Sequence, residues 1–415
     1  MKQVYTSIDI GTDSIKVVVA ELFNNKLNLL AASSIKSEGI KKGLITDAEK
    51  ACASVKLAIT NVEDMLGIKI KKVITSIPSY YTDFEMVKGN ITLDPEVEIT
   101  GKEVVELLSN AMSTSKIKDK ELVTAIPVDF SLDDKSGIKD PKGMQGTDFN
   151  VRAIMVLTAK KNLLSVVKLL EMADLEVVDI SLNSIGDMYA VKDRDIKEQI
   201  GAIINIGHET TTISLYNKGI IVKSSVISFG GKNIDNDIAY IYKLSLKEAN
   251  KIKEKFALAH KKYASVNDIY EVEDKTGEKI KINQSEVSEV VMARIEEILV
   301  LARKEISIMT KHDVDYILIT GGTSSMTNFD LIAKEVLGEN TKTSEIRLVG
   351  LRHNKYSSAI GNIVYFIGKL KLKGKNYSMI SKEDMQELTS TKKSLISEET
   401  MLGKVFNCFF DDRED

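Results

Sequence analysis

The sequence predicts an α/β fold of two related lobes, with a small α+β subdomain set into the first. Three observations predict it. A strand, a tight turn and a return strand open the chain between Tyr5 and Glu21. The same pattern recurs between Ala202 and Tyr216. All four prolines, Pro78, Pro95, Pro127 and Pro141, fall between residues 78 and 141, where the character of the chain changes.

In the first hairpin, Val4, Tyr5, Ile8 and Ile10 form a short apolar run and Ile15 to Ala20 a β-branched return. Gly11, Thr12, Asp13 and Ser14 supply the turn, with Asp9 just ahead of it. A turn rich in backbone N–H groups can hold a phosphate chain, with Gly11 allowing close approach. Asp9 beside it suits a hydrated Mg²⁺, acting through water. An ordinary hairpin accounts for this stretch equally well. The second hairpin repeats the placement: Asn205 stands as Asp9 does, Gly207 matches Gly11, and His208, Glu209 and Thr210 complete the turn. Two such hairpins suggest two lobes closing on one nucleotide. A third element, Tyr316 to Ser325, is an apolar strand ending in Gly321-Gly322 and followed by Thr323. A glycine pair lets backbone lie flat against an adenosine.

In this order the three elements resemble the actin-like ATPase superfamily, with its two phosphate loops and adenosine loop. The resemblance implies an actin-like fold with repeated ribonuclease H-type lobes, and ATP with Mg²⁺ as cofactors.

The chain has 415 residues, too many for one ordinary domain, and 43% are hydrophobic, enough for real cores. A net charge of −3 argues against nucleic acid as the main partner. Cys52 and Cys408 are too few for a disulfide framework, and no signal peptide is expected ahead of the first strand, so a reducing cytoplasm is the expected compartment. No apolar run reaches the roughly 18 residues of a spanning helix, and no His/Cys cluster has metal spacing.

A third strand is expected over Lys26–Ser34, then a glycine-punctuated loop from Ser37 to Asp47. Asp47 caps a helix whose apolar spacing runs through Ala51, Val55, Ala58, Ile59, Val62 and Leu66. A strand over Lys71–Ile77 stops at Pro78. The inserted stretch reads as a strand (Lys88–Leu93), a helix capped by Thr100, a strand (Glu121–Ile126), a loop from Asp140 to Gly146, and a strand (Phe149–Thr158). A helix (Lys160–Met172), a strand (Leu175–Ile180) and a helix (Ile185–Val191) then bridge the lobes.

The second lobe opens at Gly201. A strand over Val222–Phe229 leads to Gly230-Gly231, and Asn233–Tyr242 is helical. Ser245 with Glu248 reads as a capping box for a helix over Lys247–Lys255. Two short strands are expected in Ser265–Lys281 and a long amphipathic helix over Gln284–Thr310, with Arg294 and Arg303 on its polar face. Asn328–Leu337 and Tyr356–Gly368 are helices; Ala359-Ile360-Gly361-Asn362 on the last is small enough for a close crossing. Lys369–Thr400 reads as a mobile linker with room for one strand at its start. Beyond it, Met401, Leu402, Val405, Phe406, Phe409 and Phe410 share one helix face. Such a face lies in a membrane interface or docks on a protein surface.

The runs Ala125-Ile126-Pro127, Gly137 to Gly146, Gly39 to Gly43 and Ser228-Phe229-Gly230-Gly231 closely resemble the FtsA family of bacterial division proteins. This resemblance covers nearly the whole chain. The phosphate loops are weakly specific; the insertion, the Gly143-Met144-Gln145-Gly146 loop and the tail are specific together. It implies residues 1–82, 159–193 and 356–370 as the first lobe, 83–158 as a self-association subdomain, 194–227 and 306–355 as the second lobe, 228–305 as a subdomain facing nucleotide and FtsZ, 371–400 as linker and 401–412 as a membrane-targeting helix. It implies binding to the C-terminal tail of FtsZ, to copies of the chain and to inner-membrane lipid, at the cytoplasmic face of the membrane at the septum. It makes Gly231, Glu248, Lys251 and Lys255 nucleotide contacts, and Arg294 or Arg303 contacts for the FtsZ tail. For all five charged residues, solvated helix faces are the competing reading.

The tail departs from the family by its charge. Lys404 and Arg413 stand against Asp411, Asp412, Glu414 and Asp415, so attraction to anionic lipid, about 1 kcal/mol per basic residue, is small. Six apolar side chains, each gaining about half of roughly 1.5–3 kcal/mol, make one tail a weak, reversible anchor and an array of tails a strong one. Asn205 replaces the usual Asp of the second loop, so no catalytic residue is assigned and hydrolysis is expected to be slow at most. Glu209 either replaces the lost charge or repels phosphate. Lys16 is a phosphate contact or a solvent-facing strand lysine, and His208 is loop filling or a ligand. A sugar-kinase-type enzyme and a pilus-assembly adaptor of the same superfamily are the competing functions. A kinase needs a carboxylate base in the cleft, and an adaptor would lack the terminal helix.

Overall fold

A computed structural model describes residues 2–388, except residues 116, 118, 192–195, 197, 198, 347, 382 and 387. Strands β1 (Gln3–Ile10), β2 (Ser14–Phe23) and β3 (Lys26–Lys36) pair antiparallel in succession. A small hairpin of β4 (Ile40–Lys41) and β5 (Leu44–Ile45) follows, where the sequence predicted only loop. Asp47 caps α1 (Ala48–Leu66) by accepting from the Lys50 amide, and the six apolar residues expected on its inner face are buried. β6 (Lys72–Ile77) lies parallel to β1.

The inserted subdomain holds β7 (Asp83–Thr92), α2 (Gly101–Ser113), β8 (Glu121–Leu132), β9 (Lys135–Ile138) and β10 (Asp148–Thr158). Its sheet runs β7-β10-β8-β9, with α2 capped by a Thr100–Glu103 box. Here the structure extends the expected strands. β7 starts five residues before Lys88: Val87, Gly89 and Ile91 continue one inward face, but the polar Asp83 and Glu85 in phase with them hide the alternation, and Phe84 on the other face packs against the first lobe's core. β8 runs through Pro127 to Leu132. The pairing register with β10 shifts between Arg152 and Ala153, the partner of Pro127, so the ladder is already irregular where the proline lacks an amide.

α3 (Lys160–Met172), β11 (Glu176–Leu182) and α4 (Asn183–Val191) complete the first lobe, whose sheet order is β11-β6-β1-β2-β3. The second lobe has β12 (Ile200–Ile206), β13 (Thr211–Asn217) and β14 (Ile220–Ile227), again antiparallel in succession. α5 (Gly231–Ile241), α6 (Leu246–Lys255), β15 (Ile269–Glu273), β16 (Lys279–Asn283) and α7 (Gln284–Met309) follow. β17 (Tyr316–Thr320), α8 (Phe329–Leu337) and β18 (Thr341–Thr343) close the second sheet in the order β14-β13-β12-β17-β18. In both lobes three antiparallel strands precede two parallel ones, so the repeat first seen in two hairpins extends to whole sheets.

α9 (Ser357–Leu372) returns to the first lobe and crosses α4. A Cβ on Gly361 would stand 1.6 Å from the Gly186 carbonyl oxygen, so only glycine permits this approach. α1 and α3 cover one face of the first sheet, and α9 covers the other with Tyr5, Val18 and Ile74. The second core gathers Ile204, Ile213 and Ile319 with α5, α6, α7 and α8.

Lys369–Leu372 continue α9, so the strand allowed at the start of the linker is absent from those residues. The chain then packs back on the first lobe. The Met379 amide donates to the Val4 carbonyl at 2.9 Å, the Val4 amide donates to Ser378 Oγ at 3.1 Å, and Met379 and Leu388 are buried. The remaining linker and the expected helix with Met401, Leu402, Val405, Phe406, Phe409 and Phe410 lie outside the described residues. No helix among the described residues is long and apolar enough to cross a membrane.

Candidate functional site

A cleft of about 500 Å³ lies between the lobes. Its walls include both turns and the glycine pair: Asp9, Gly11, Thr12, Asp13, Ser14 and Lys16 from the first lobe; Asn205, Gly207, His208 and Thr210, then Gly231, Gly321, Gly322 and Thr323, from the second. The two turns are built alike. The Gly11 amide donates to the Ser14 carbonyl at 3.2 Å, and the Gly207 amide to the Thr210 carbonyl at 2.9 Å. In each, a strand-end residue faces a partner across the hairpin, Asp9 opposite Lys16 and Asn205 opposite Thr212.

Lys16 is buried, which removes the solvent-facing alternative. Its Nζ lies 3.0 Å from Asp9 Oδ2 and donates to the Ser14 carbonyl at 3.2 Å. Asn205 Nδ2 donates to Asp187 Oδ2 at 2.7 Å, and Asp187 Oδ1 accepts from Ser357 and Ser358 at 2.8 and 2.7 Å. Burial lifts the Asp187 carboxyl to about 6, opposed by these hydrogen bonds. Asp187 sits on α4 and was not singled out in the sequence, because nothing local distinguishes it; its partners come from β12 and α9.

The α6 residues need a correction. Glu248 and Lys251 do not line the cleft; they pair with each other at 2.6 Å on the surface. Lys255, the third candidate on this helix, does line the cleft, together with Asn250, Lys253 and Glu254. At 100° per residue, Asn250 and Lys253 lie about half a turn round from Glu248 and Lys251. Ala249, Ile252 and Lys253 are the buried positions of the helix. Lys253 is buried, 2.8 Å from Asp235, and donates to the Gly231 carbonyl at 3.3 Å. Ser245 accepts from the Glu248 amide, but Glu248 turns to Lys251, so only half of the expected capping box forms.

Glu209 also stands outside the cleft lining. It neither replaces the missing carboxylate there nor faces a phosphate, because Lys232 and the Lys42 amide hold it at 2.5 and 2.7 Å. His208 lines the cleft, and burial lowers its pKa, keeping the imidazole neutral at pH 7. His353 and Lys355, between β18 and α9, line it as well, and burial lowers both of their pKa values.

The cleft suits a nucleoside triphosphate. Glycine turns supply backbone amides, Lys16, Lys253, Lys255 and Lys355 supply positive charge, and Asn183 Oδ1 is buried with no partner among the described residues. Asp9 fits Mg²⁺ held chiefly by phosphates and water; the ion would offset phosphate charge there. Asn205 also lines the cleft, its Nδ2 serving Asp187 and its Oδ1 lying 2.5 Å from where a Cβ on Gly321 would stand.

Two family descriptions match this chain. One, the SHS2 domain inserted in FtsA, matches residues 81–157, which span the inserted sheet. The other, cell division protein FtsA, matches residues 202–361, which span the second lobe. The chain belongs to the FtsA family. The cell division protein FtsA of Bacillus subtilis is 29% identical over 390 residues, covering 93% of this chain and 89% of its own. Among solved structures, the PilM-PilN type IV pilus biogenesis complex matches with a TM-score of 0.59 at 15% identity, covering 87% of this chain and 98% of the other. MreB5 of Spiroplasma citri bound to ADP matches with a TM-score of 0.55 at 15% identity, covering 89% and 98%. These structural likenesses show the fold, which is actin-like. The FtsA-family subdomain is the sheet of β7, β10, β8 and β9 with α2.

A second hollow, of about 450 Å³, opens between α5 and α7. Tyr240 and Ile241 expose apolar surface beside Arg294, whose Nε and Nη2 bond Asp237 at 2.6 and 2.9 Å. Arg303 lies outside it and donates to the Val336 carbonyl at 2.9 Å.

Proposed function

We propose that this chain is an ATP-binding scaffold of cell division. It assembles with copies of itself through the inserted subdomain and tethers FtsZ filaments to the cytoplasmic face of the membrane at the septum. The observation that carries this reading is the single cleft in which two like turns from different lobes meet the Gly321-Gly322 pair. ATP with Mg²⁺ is the ligand that best fits the turns, the lysines and Asp9. Hydrolysis is slow at most: Asn205 contributes no carboxylate, and Asp187 is occupied by three hydrogen bonds.

The hollow beside Arg294 offers Tyr240, Ile241 and Val290 to the apolar residues of a peptide such as the FtsZ tail; Arg294 is already paired with Asp237 and Glu297, so an acidic residue of the peptide would have to displace one of them. Arg303 points elsewhere and is left out of this surface. A sugar kinase is disfavoured because Asn205 stands where the superfamily usually offers a carboxylate, and an amide cannot take the hydroxyl proton. The likeness to the pilus complex concerns fold alone.

The tail anchors the scaffold weakly on its own and strongly in an array. Deleting residues 401–415 is expected to release the protein from the membrane in cells while ATP binding persists. Unchanged septal localisation would contradict the tether. Vesicle co-sedimentation should fall when self-association through the inserted subdomain is blocked; equal sedimentation would separate the two properties.

A further inference from the structure

The β4–β5 hairpin turns on Lys42 and Gly43, at φ of 50° and 76°. A two-residue turn of this kind leaves its two central amides outside the hairpin's own ladder. Each amide is taken by one of the two cleft turns. Gly43 donates to Thr12 Oγ1 at 2.8 Å, within the first lobe. Lys42 donates to Glu209 Oε2 at 2.7 Å, across to the second. The other oxygen of Glu209 accepts from Lys232 Nζ on α5 at 2.5 Å. Burial alone would raise the Glu209 carboxyl, but Lys232 and the Lys42 amide outweigh it and hold it below the usual range.

We propose that Glu209 is a latch between the lobes. Anchored on its own lobe by Lys232, it grips the first lobe's hairpin through the Lys42 amide and keeps the cleft mouth closed. Its release then sets how fast nucleotide enters and leaves. This rests on the nucleotide reading of the cleft and adds a rate to it. Both hydrogen-bond partners of the carboxylate, the Lys42 amide and Lys232, lie outside the cleft lining, so the latch acts on opening and not on the contacts of the ligand. Both rates must therefore change together. Thr12 joins the same hairpin to the first turn, so opening the latch also frees the residues expected to hold phosphate.

The test uses the full chain and a fluorescent N-methylanthraniloyl-ATP with Mg²⁺ in stopped flow. Glu209→Ala should raise association and dissociation alike, each by about tenfold for a charge-assisted hydrogen bond of ordinary strength. Kd should then stay within about threefold, because an opening step common to both directions cancels in the ratio. Glu209→Gln keeps one acceptor oxygen without the ion pair and should fall between; it also carries the test if the alanine variant folds poorly. Faster dissociation with unchanged association would make Glu209 a ligand contact and overturn the latch, as would two unchanged rates. Hydrogen exchange of the nucleotide-free chain gives an independent reading. Residues 9–16 and 205–212 should exchange faster in Glu209→Ala than in wild type. Acceleration confined to the Lys42 amide would overturn the latch. If the wild-type chain binds no nucleotide while both segments still accelerate, the nucleotide reading fails and the latch stands.

Discussion

Asn205 Nδ2 donates to Asp187 Oδ2 at 2.7 Å, joining the second lobe's central strand to the inter-lobe helix α4. This contact gives a physical reason for Asn where an Asp is usual. An Asp at position 205 would set two carboxylates within hydrogen-bond distance of each other, and one would have to keep a proton. Asn205→Asp should therefore destabilise the chain at pH 7.5 by about 2 kcal/mol or more. Adding Asp187→Asn should restore most of that loss, because the donor and acceptor are merely exchanged. Denaturant titration of the two variants checks this; an additive loss in the double variant would contradict it.

Asp187 itself makes stability depend on pH. Its carboxyl is lifted from 3.8 to about 6, so between those values the folded chain holds a proton that the unfolded chain has released. Its contribution is full below about pH 4, falls as pH rises to about 6, and is level above. The span corresponds to roughly 3 kcal/mol. Wild type compared with Asp187→Asn by denaturation at pH 4.5 and 7 should show that falling component in wild type alone.

Lys16 and Asp9 form a buried pair, and removing one partner leaves a buried charge uncompensated. Lys16→Met should cost about 3 kcal/mol. The double variant Asp9→Asn, Lys16→Met should recover most of the stability yet bind Mg·ATP far less tightly. Denaturation and equilibrium binding on the same samples separate the structural role from the ligand role.

Gly361 marks the crossing of α4 and α9. Gly361→Ala drives a methyl onto the Gly186 carbonyl, so the helices must part. A loss at the upper end of the roughly 1–3 kcal/mol typical of overpacking, or beyond it, is expected in thermal or denaturant unfolding. Gly368→Ala on the same helix, with open space around its Cβ position, should be neutral or mildly stabilising.

Most elements were legible because their signals are local. Asp47 and Thr100 announced their helices, the hairpin glycines announced their turns, and Gly361 announced the crossing. The inserted subdomain was harder. Pro127 reads as a strand end, and only the register shift on its partner β10 shows why the strand continues. β9 and β18 are too short to have a period. In the cleft, residues on the loops were found because glycine and hydroxyl groups mark them. Lys253, Lys355 and Asp187 were missed because their importance comes from what distant segments bring to them. Glu209 was noticed for its charge, but its partner is a backbone amide, which no side-chain pattern records.

The central claim is that the cleft holds ATP, and Gly322 offers the most direct test. It lies on the cleft wall with ordinary helical dihedrals, φ −60° and ψ −40°, and a Cβ there would meet only Lys355 Cβ, at 3.9 Å. Gly322→Leu should fold with nearly unchanged melting temperature and fill the glycine-pair end of the cleft. Calorimetric titration of Mg·ATP into the full chain should give saturable binding at one site for wild type and none for Gly322→Leu. Equal binding by both proteins, or no binding by wild type, would contradict the account.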